Sequence, residues 1–327
     1  MKKIIKFTFT KIFDLFYDKL FGKKRDVKNI WKPDNYQHYS KYFWTFVQEP
    51  LESRGIYLPL DFNNIIKFDQ FKTFHNEHIV LEKYLKIIDS NIKNEDKFFI
   101  DIGAGDGVDM SNTLNLALNN YKGYMIESDD SKFAKLSVIY RDFPNVQLHK
   151  SKITPKNVVS LLRSFSLPQT IDVLNLDIDS YDYDVLKNIL PEFNFKFLIL
   201  EINPLFPLSI DFNVTYDENF EWESNHFNGA SLSMFYKLLK IHKYSVIHLD
   251  RSFLLAVDSS YLKSEMVEKE INELDNLLMT TLKHNDPKKW ERTYKAFWKY
   301  DDDEIIKNSK ELFKNYQNYT INKSGLN

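Results

Sequence analysis

The run Phe98-Phe99-Ile100-Asp101-Ile102-Gly103-Ala104-Gly105-Asp106-Gly107 sets three glycines two apart at the end of an apolar stretch. Only eight glycines occur in the chain, so three within five residues mark a backbone that must turn tightly or lie against a ligand. Twenty residues after Gly107 a second apolar run, Gly123-Tyr124-Met125-Ile126, ends in Glu127. A carboxylate at that place, beside such a loop, can accept both hydroxyl hydrogens of a ribose. Dinucleotide sites use G-x-G-x-x-G, whose third glycine lets the following helix pack close to its strand. Here the spacing is G-x-G-x-G, and Asp106 inside the loop would repel a pyrophosphate. S-adenosylmethionine carries a sulfonium cation and no phosphate, so the loop and its acid predict that cofactor. Asp101 is placed to order the loop or to meet the cofactor's amino acid moiety.

Methyl transfer is an in-line displacement at an activated carbon, and positioning the acceptor supplies much of its rate. A hydroxyl acceptor also needs a base to take its proton or a metal to lower its pKa. The place for either is the carboxyl end of the later strands. There the sequence has Leu174-Asn175-Leu176-Asp177-Ile178-Asp179 and Glu201-Ile202-Asn203. Strand alternation puts Asp177 and Asp179 on a common side if both are extended. Three roles are open. Asp177 or Asp179 acts as base while Glu201 and Asn203 position the acceptor; or Asp177, Asp179 and Glu201, with Asn203, hold Mg²⁺ or Mn²⁺; or these residues cap a helix and order loops. Glu77 either reaches the cofactor loop or is a solvent-exposed helix acid.

These residues need a frame. Apolar runs at 97–101, 123–127, 146–149, 171–177 and 196–202 alternate with helix-length segments near 109–119, 130–140, 155–165, 182–189 and 229–242. Such alternation predicts a parallel sheet wrapped by helices. The runs 244–249 and 252–257 are separated only by Asp250 and Arg251, too little for a parallel crossover, so they form an antiparallel hairpin at one sheet edge. The fold class expected is α/β, a Rossmann-like, mostly parallel seven-stranded sheet with a terminal antiparallel hairpin. This domain spans 69–259. A helix at about 69–92 precedes its first strand, with Phe74, Leu81, Tyr84, Ile87 and Ile88 on one face. Residues 260–327 read as a helical C-terminal extension with Met266, Ile271, Leu274, Leu277 and Leu278 as a buried stripe. Asp301, Asp302 and Asp303 stand at a helix start, and the final few residues are expected to be disordered.

The ordered motifs resemble the FkbM-like group of class I methyltransferases. They are Asp101 through Gly107, Ser111-Asn112-Thr113, Ile126-Glu127, Asp177-Ile178-Asp179, Glu201-Ile202-Asn203 and Gly229-Ala230-Ser231-Leu232. The likeness runs in order over roughly 75–257. It implies methyl transfer to oxygen, on a sugar, glycan or related small metabolite. It also implies cofactor contacts at Asp101, at Gly103, Ala104, Gly105, Asp106 and Gly107, and at Asn112, Glu127, Ser128 and Asp177. The sequence departs from the group at Ser180, at His242-Lys243-Tyr244 and at Ser252-Phe253-Leu254.

Lys and Arg number 44 against 46 Asp and Glu, which gives no general attraction to nucleic acid. A nucleic-acid amine methyltransferase would show an Asn/Asp-Pro-Pro-aromatic loop after the fourth strand, whereas Asn203-Pro204-Leu205-Phe206 follows the fifth and lacks the second proline. No cysteine is present, which excludes disulfides, zinc-thiolate sites and cysteine nucleophiles. Residues 1–25 carry eight Lys and Arg against two Asp, with Ile5, Phe9, Ile12, Phe13, Phe16 and Leu20 on one helical face. This amphipathic basic helix packs on its own domain or a partner, or makes a peripheral membrane contact. Residues 26–68 read as irregular cover. A cytoplasmic protein is expected, with membrane association open through residues 1–25, and the sequence leaves the oligomeric state undetermined. The competing readings are a nicotinamide-dependent Rossmann oxidoreductase and a noncatalytic scaffold that docks to a membrane or partner.

Overall fold

The computed structural model describes residues 77–88 and 97–326, apart from positions 109, 142, 224 and 286. The readings of residues 1–25 and 26–68 therefore lie outside the described residues. The elements run α1 (Glu77–Ile88), β1 (Phe98–Ile102), α2 (Leu114–Leu118), β2 (Lys122–Glu127), α3 (Asp130–Tyr140), β3 (Val146–Lys150), α4 (Val158–Ser164), β4 (Thr170–Leu176), α5 (Asp182–Ile189) and β5 (Asn194–Glu201). They continue as β6 (Ile210–Val214), α6 (Leu232–Ile241), β7 (Tyr244–Asp250), β8 (Phe253–Asp258) and α7 (Ile271–Asn285). After a helical run through residues 287–299 come α8 (Asp302–Leu312) and β9 (Tyr319–Lys323).

Seven strands form one sheet in the order β3-β2-β1-β4-β5-β8-β7. The first five pair in parallel, while β8 runs antiparallel to both β5 and β7. This is the Rossmann-like sheet with its terminal hairpin. The central strands β4 and β5 are covered on both faces, which is why Ile171, Val173, Leu174 and Leu176, with Phe195, Phe197, Leu198 and Leu200, are buried in nearly unbroken runs. Their one charged pair is satisfied internally: Lys196 Nζ lies 2.8 Å from Asp172 on the neighbouring strand, and Asp172 also accepts from the Phe98 amide.

Helix starts follow local chemistry. Asp129 caps α3 by accepting from the Lys132 amide, and Asp301 caps α8 by accepting from Glu304. The helix before β1 buries Leu81, Tyr84 and Leu85, and the stripe expected from Met266 to Leu278 buries Met266, Leu274 and Leu278.

A second sheet, β6 paired antiparallel with β9, is absent from the sequence reading. The signal for β6 is Ile210-Asp211-Phe212-Asn213-Val214, a strict alternation whose three apolar members are buried. Its partner lies near the other end of the chain, in the extension read as helical; Tyr319–Lys323 instead form a strand. Aromatic rings join the pair to the main core: Phe206 stacks on Phe212 at 4.4 Å, and Phe227 meets Tyr319 edge-on at 5.5 Å.

Candidate functional site

β1, β2 and β4 end level with one another, Ile102 pairing with both Ile126 and Leu176. The strand order reverses between β1 and β4, and the glycine loop leaves β1 at that switch point. Two successive amides, of Gly103 and Ala104, donate to the Ile126 carbonyl at 3.0 and 3.1 Å and bend the chain across the end of β2. Gly103 has φ +88°, and a Cβ there would stand 1.6 Å from the Asp177 carbonyl oxygen, so no side chain fits. Gly105 also has positive φ, +61°, but a Cβ there would meet nothing within 4 Å. The loop thus presses its first glycine against β4 and leaves its second facing open space.

Glu127 fixes this shape. One carboxylate oxygen accepts from the Gly105 amide at 2.8 Å, and the other from the Ser128 and Asp129 amides, both at 2.7 Å. A carboxylate offers about four acceptor positions. Three are taken within the fold, which leaves one.

Beneath the loop lies a buried polar chain. Asp101, 1% exposed, accepts from Thr113 Oγ1 at 2.5 Å and from Asn175 Nδ2 at 2.8 Å, while Asn175 Oδ1 accepts from Asn112 Nδ2 at 3.0 Å. Ser111 Oγ accepts from the Thr113 and Leu114 amides and so starts α2. The Ser111-Asn112-Thr113 motif is therefore accounted for by scaffolding. Asn112 spends one Nδ2 hydrogen on Asn175, and the two oxygens of Asp101 are occupied by Thr113 and Asn175. Asn175, which the sequence reading passed over, is the hub. Its replacement by Leu strands a buried carboxylate oxygen and is expected to cost about 1–3 kcal/mol, read as a lower urea midpoint. Glu77 is 5% exposed, which settles it as a buried acid rather than a solvated one.

The carboxylates of Asp177, Asp179 and Glu201 converge, each offering an oxygen within 4.8 Å of the others. They do not reach this by strand alternation. β4 ends at Leu176, and Asp179 turns through φ +54°, a left-handed conformation rare outside glycine. Asp182 holds the turn, its two oxygens accepting from the amides of Ile178 at 2.8 Å and Ser180 at 3.0 Å. Sequence reasoning missed Asp182, although an acid at the start of a helix after D-x-D is a readable capping signal. Asn203 does not serve the cluster. Its Nδ2 donates to the carbonyls of His226 and Asn228, each at 2.9 Å, and its Oδ1 accepts from Leu205, so it is spent on tying the loop after β5 to the stretch before α6.

Crowding raises the acids' proton affinity. Burial, then the charges of Asp179 and Asp182, push Asp177 up to about 8. Glu201 is held well above its usual range by burial and by Asp177, to which it is hydrogen-bonded. Burial also lifts Asp101 and Asp182 to about 6. These folded-state values all exceed the ordinary 3.8 of an aspartate, so the native protein keeps protons that the unfolded chain has lost. Stability is then greatest at the acid side of this window and falls as pH rises through it, by up to about 1.4 kcal/mol per pH unit for each group that is protonated in the fold and ionised in the unfolded chain. The urea midpoint is expected to be lower at pH 8 than at pH 6, and Asp177→Asn should flatten the upper part of that slope. A near-neutral proton acceptor, or three oxygen ligands for a hard divalent cation, is what such a cluster can supply.

A cleft of about 400 Å³ opens beside the loop, lined by Gly103, Ile126, Ser128 and Asp129, by residues 151–153, and by Ile178, Ser180 and Tyr181. Phe220, Glu221 and Trp222 complete it. Ser128 lines this cleft, and Gly103 faces both β4 and the cleft.

No protein-family model matches the chain, and no curated protein matches it by sequence. Among solved structures it is similar to the N-terminal domain of EvdMO1 with SAH bound, at 9% identity over 56% of this chain and 79% of that one, with a TM-score of 0.35. It is also similar to a precorrin-6y C5,15-methyltransferase from Geobacter metallireducens, at 13% identity, 58% and 92% coverage and a TM-score of 0.35. A putative O-methyltransferase from Klebsiella pneumoniae gives 12% identity, 69% and 95% coverage and a TM-score of 0.36. Strand order and polarity, rather than these likenesses, define the fold.

Proposed function

We propose that this chain is an S-adenosylmethionine-dependent methyltransferase acting on a hydroxyl oxygen of a sugar, glycan or related small metabolite. The observation that carries the reading is the glycine loop at the switch point. It is pinned at Gly105 by Glu127, open on its outer side, and set against the strand end that bears the carboxylate cluster. When bound, the cofactor supplies a methyl carbon made electrophilic by its sulfonium. Gly103 and Gly105 provide bare backbone against it, Ser128 and one free acceptor position of Glu127 meet its ribose, and Asp177 or Glu201 takes the acceptor's proton. A cation beside three crowded carboxylates would lower their raised proton affinity, so the donor set fits this cofactor.

Two features speak against a nicotinamide enzyme. A dinucleotide fold directs a helix N-terminus at the pyrophosphate directly after the glycine loop, whereas α2 does not begin until Leu114. The antiparallel β8 inserted beside β5 also departs from the all-parallel dinucleotide sheet.

Calorimetric titration with S-adenosylhomocysteine, with NAD⁺ as second ligand, tests the reading. Binding of the first alone supports it; binding of NAD⁺, or of neither by a folded protein, overturns it. Oxygen as acceptor, and any need for Mg²⁺ or Mn²⁺ among Asp177, Asp179 and Glu201, are then tested by screening hydroxylated acceptors with and without either ion. No helix among the described residues is long and apolar enough to cross a membrane. We assign peripheral membrane contact to residues 1–25, on their charge and aromatic content. Deleting them is expected to abolish co-sedimentation with anionic vesicles.

A further inference from the structure

The cleft beside Glu127 has a wall built from far along the chain. On one side stand Gly103, Ile126, Ser128 and residues 151–153, all at strand ends of the parallel sheet; opposite stand Phe220, Glu221 and Trp222, from the stretch between β6 and α6. Trp222 is 40% exposed, the one exposed tryptophan among the described residues, and its Nε1 donates to the Asn225 carbonyl at 2.9 Å.

The wall is tied down at both ends. Lys152 Nζ donates to the Glu218 carbonyl at 2.8 Å, from the β3 side. From the C-terminus, Tyr316 donates its hydroxyl hydrogen to Glu223 at 2.5 Å and accepts from Asn225 Nδ2 at 2.7 Å. The Tyr316 ring stacks on Phe227, the Asn318 side-chain amide bonds Asp217, and the Thr215 amide donates to the Asn318 carbonyl at 2.9 Å. The common effect of these contacts is to hold residues 220–222 over the cleft.

We propose that Trp222 and Phe220 close the adenine end of the cofactor site, and that Tyr316 and Asn318 are positioning residues that make the C-terminal segment part of the nucleoside-binding machinery. The inference rests on the cofactor reading above. With the amino acid part at the Gly103 loop and the ribose at Glu127, the base must lie beyond Glu127, between residues 151–153 and this wall. A purine has two π faces and little charge, which suits an aromatic wall better than a charged one.

The test is titration of the full chain with S-adenosylhomocysteine, followed by calorimetry and tryptophan fluorescence, for wild type, Trp222→Ala, Trp222→Phe and Tyr316→Phe. Trp222→Ala is expected to weaken binding about tenfold or more, the range that loss of one base–aromatic stack gives. Trp222→Phe should recover most of the affinity while losing the ligand-induced fluorescence change. Tyr316→Phe keeps the stack on Phe227 but frees Glu223 and Asn225, and should weaken binding several-fold at an unchanged melting temperature. A purely structural tyrosine would not separate those two readouts. If wild type binds but Trp222→Ala binds equally and Trp222→Phe keeps the fluorescence change, the wall does not touch the base and this inference falls while the cofactor reading stands. If wild type does not bind at all, both fall.

Discussion

Gly105→Arg is expected to abolish detectable binding of S-adenosylhomocysteine, a loss of at least about a hundredfold, while the protein still folds. Gly103→Ala, a far smaller change two residues away, is expected to fail at the earlier step and yield little folded protein. The difference follows from what each missing Cβ would meet. At Gly105 it meets nothing within 4 Å, so the added side chain extends into open space and costs only the left-handed backbone at φ +61°, about 1–2 kcal/mol. That corresponds to a few degrees of melting temperature. At Gly103 the methyl would lie 1.6 Å from the Asp177 carbonyl, which itself belongs to the turn that presents the carboxylate cluster. Relief would require β1 and β4 to separate at the switch point, and these are buried strands in the middle of the sheet. Thermal melts and calorimetry of the two variants check the pair. If Gly105→Arg binds like wild type, the open side of the loop is not where the cofactor lies.

The same loop shows how much the sequence could say. The strands of the main sheet were legible because parallel strands covered on both faces read as unbroken apolar runs, and because a two-residue gap, expected at Asp250-Arg251 and found one residue on at Arg251-Ser252, admits only a hairpin. Local signals also located Gly103 to Gly107, Glu127 and the three acids. They could not say how those groups are used. Asn112 and Asn203 carry the motif positions of the resemblance, yet the Asn203 amide is spent inside the protein and Asn112 gives one of its N–H groups to Asn175, and a one-dimensional pattern does not distinguish an amide aimed at a ligand from one aimed at Asn175 or His226. Asp177 and Asp179 do meet, but through a left-handed residue and the Asp182 clamp rather than through extended alternation. The second sheet was illegible for a different reason. β6 alternates plainly, but β9 is short and polar on most of its length, with only Ile321 buried, and pairing across more than a hundred residues leaves no local trace. The cleft wall of Phe220 to Trp222 hangs on that non-local pairing, so it too was invisible from the sequence.

Glu201→Gln is expected to make the protein more stable and much less active. Asp177 and Glu201 share a site that burial and mutual repulsion push toward the protonated state. Replacing the Glu201 carboxyl by an amide removes one like charge and supplies a permanent N–H to the Asp177 carboxylate. The expected gain is about 1–3 kcal/mol at pH 8, shrinking toward pH 6 where the wild-type cluster carries its proton. Turnover on an accepted hydroxyl substrate should fall about a hundredfold, the lower range for loss of a general base, with affinity for S-adenosylhomocysteine changed little because Glu201 lines none of the cofactor cleft. A gain in stability together with a loss in rate is the mark of acids kept crowded for chemistry. Parallel losses of stability and rate would instead make the cluster a structural clamp like Asp182. Adding Mg²⁺ or Mn²⁺ divides the remaining roles. If the cluster binds such an ion, wild type gains melting temperature on its addition and Glu201→Gln loses most of that gain, since three oxygen ligands have become two carboxylates and a neutral carbonyl. If neither protein responds, the proton shared by Asp177 and Glu201 is the functional element, and Asp177→Asn should abolish turnover as Glu201→Gln does.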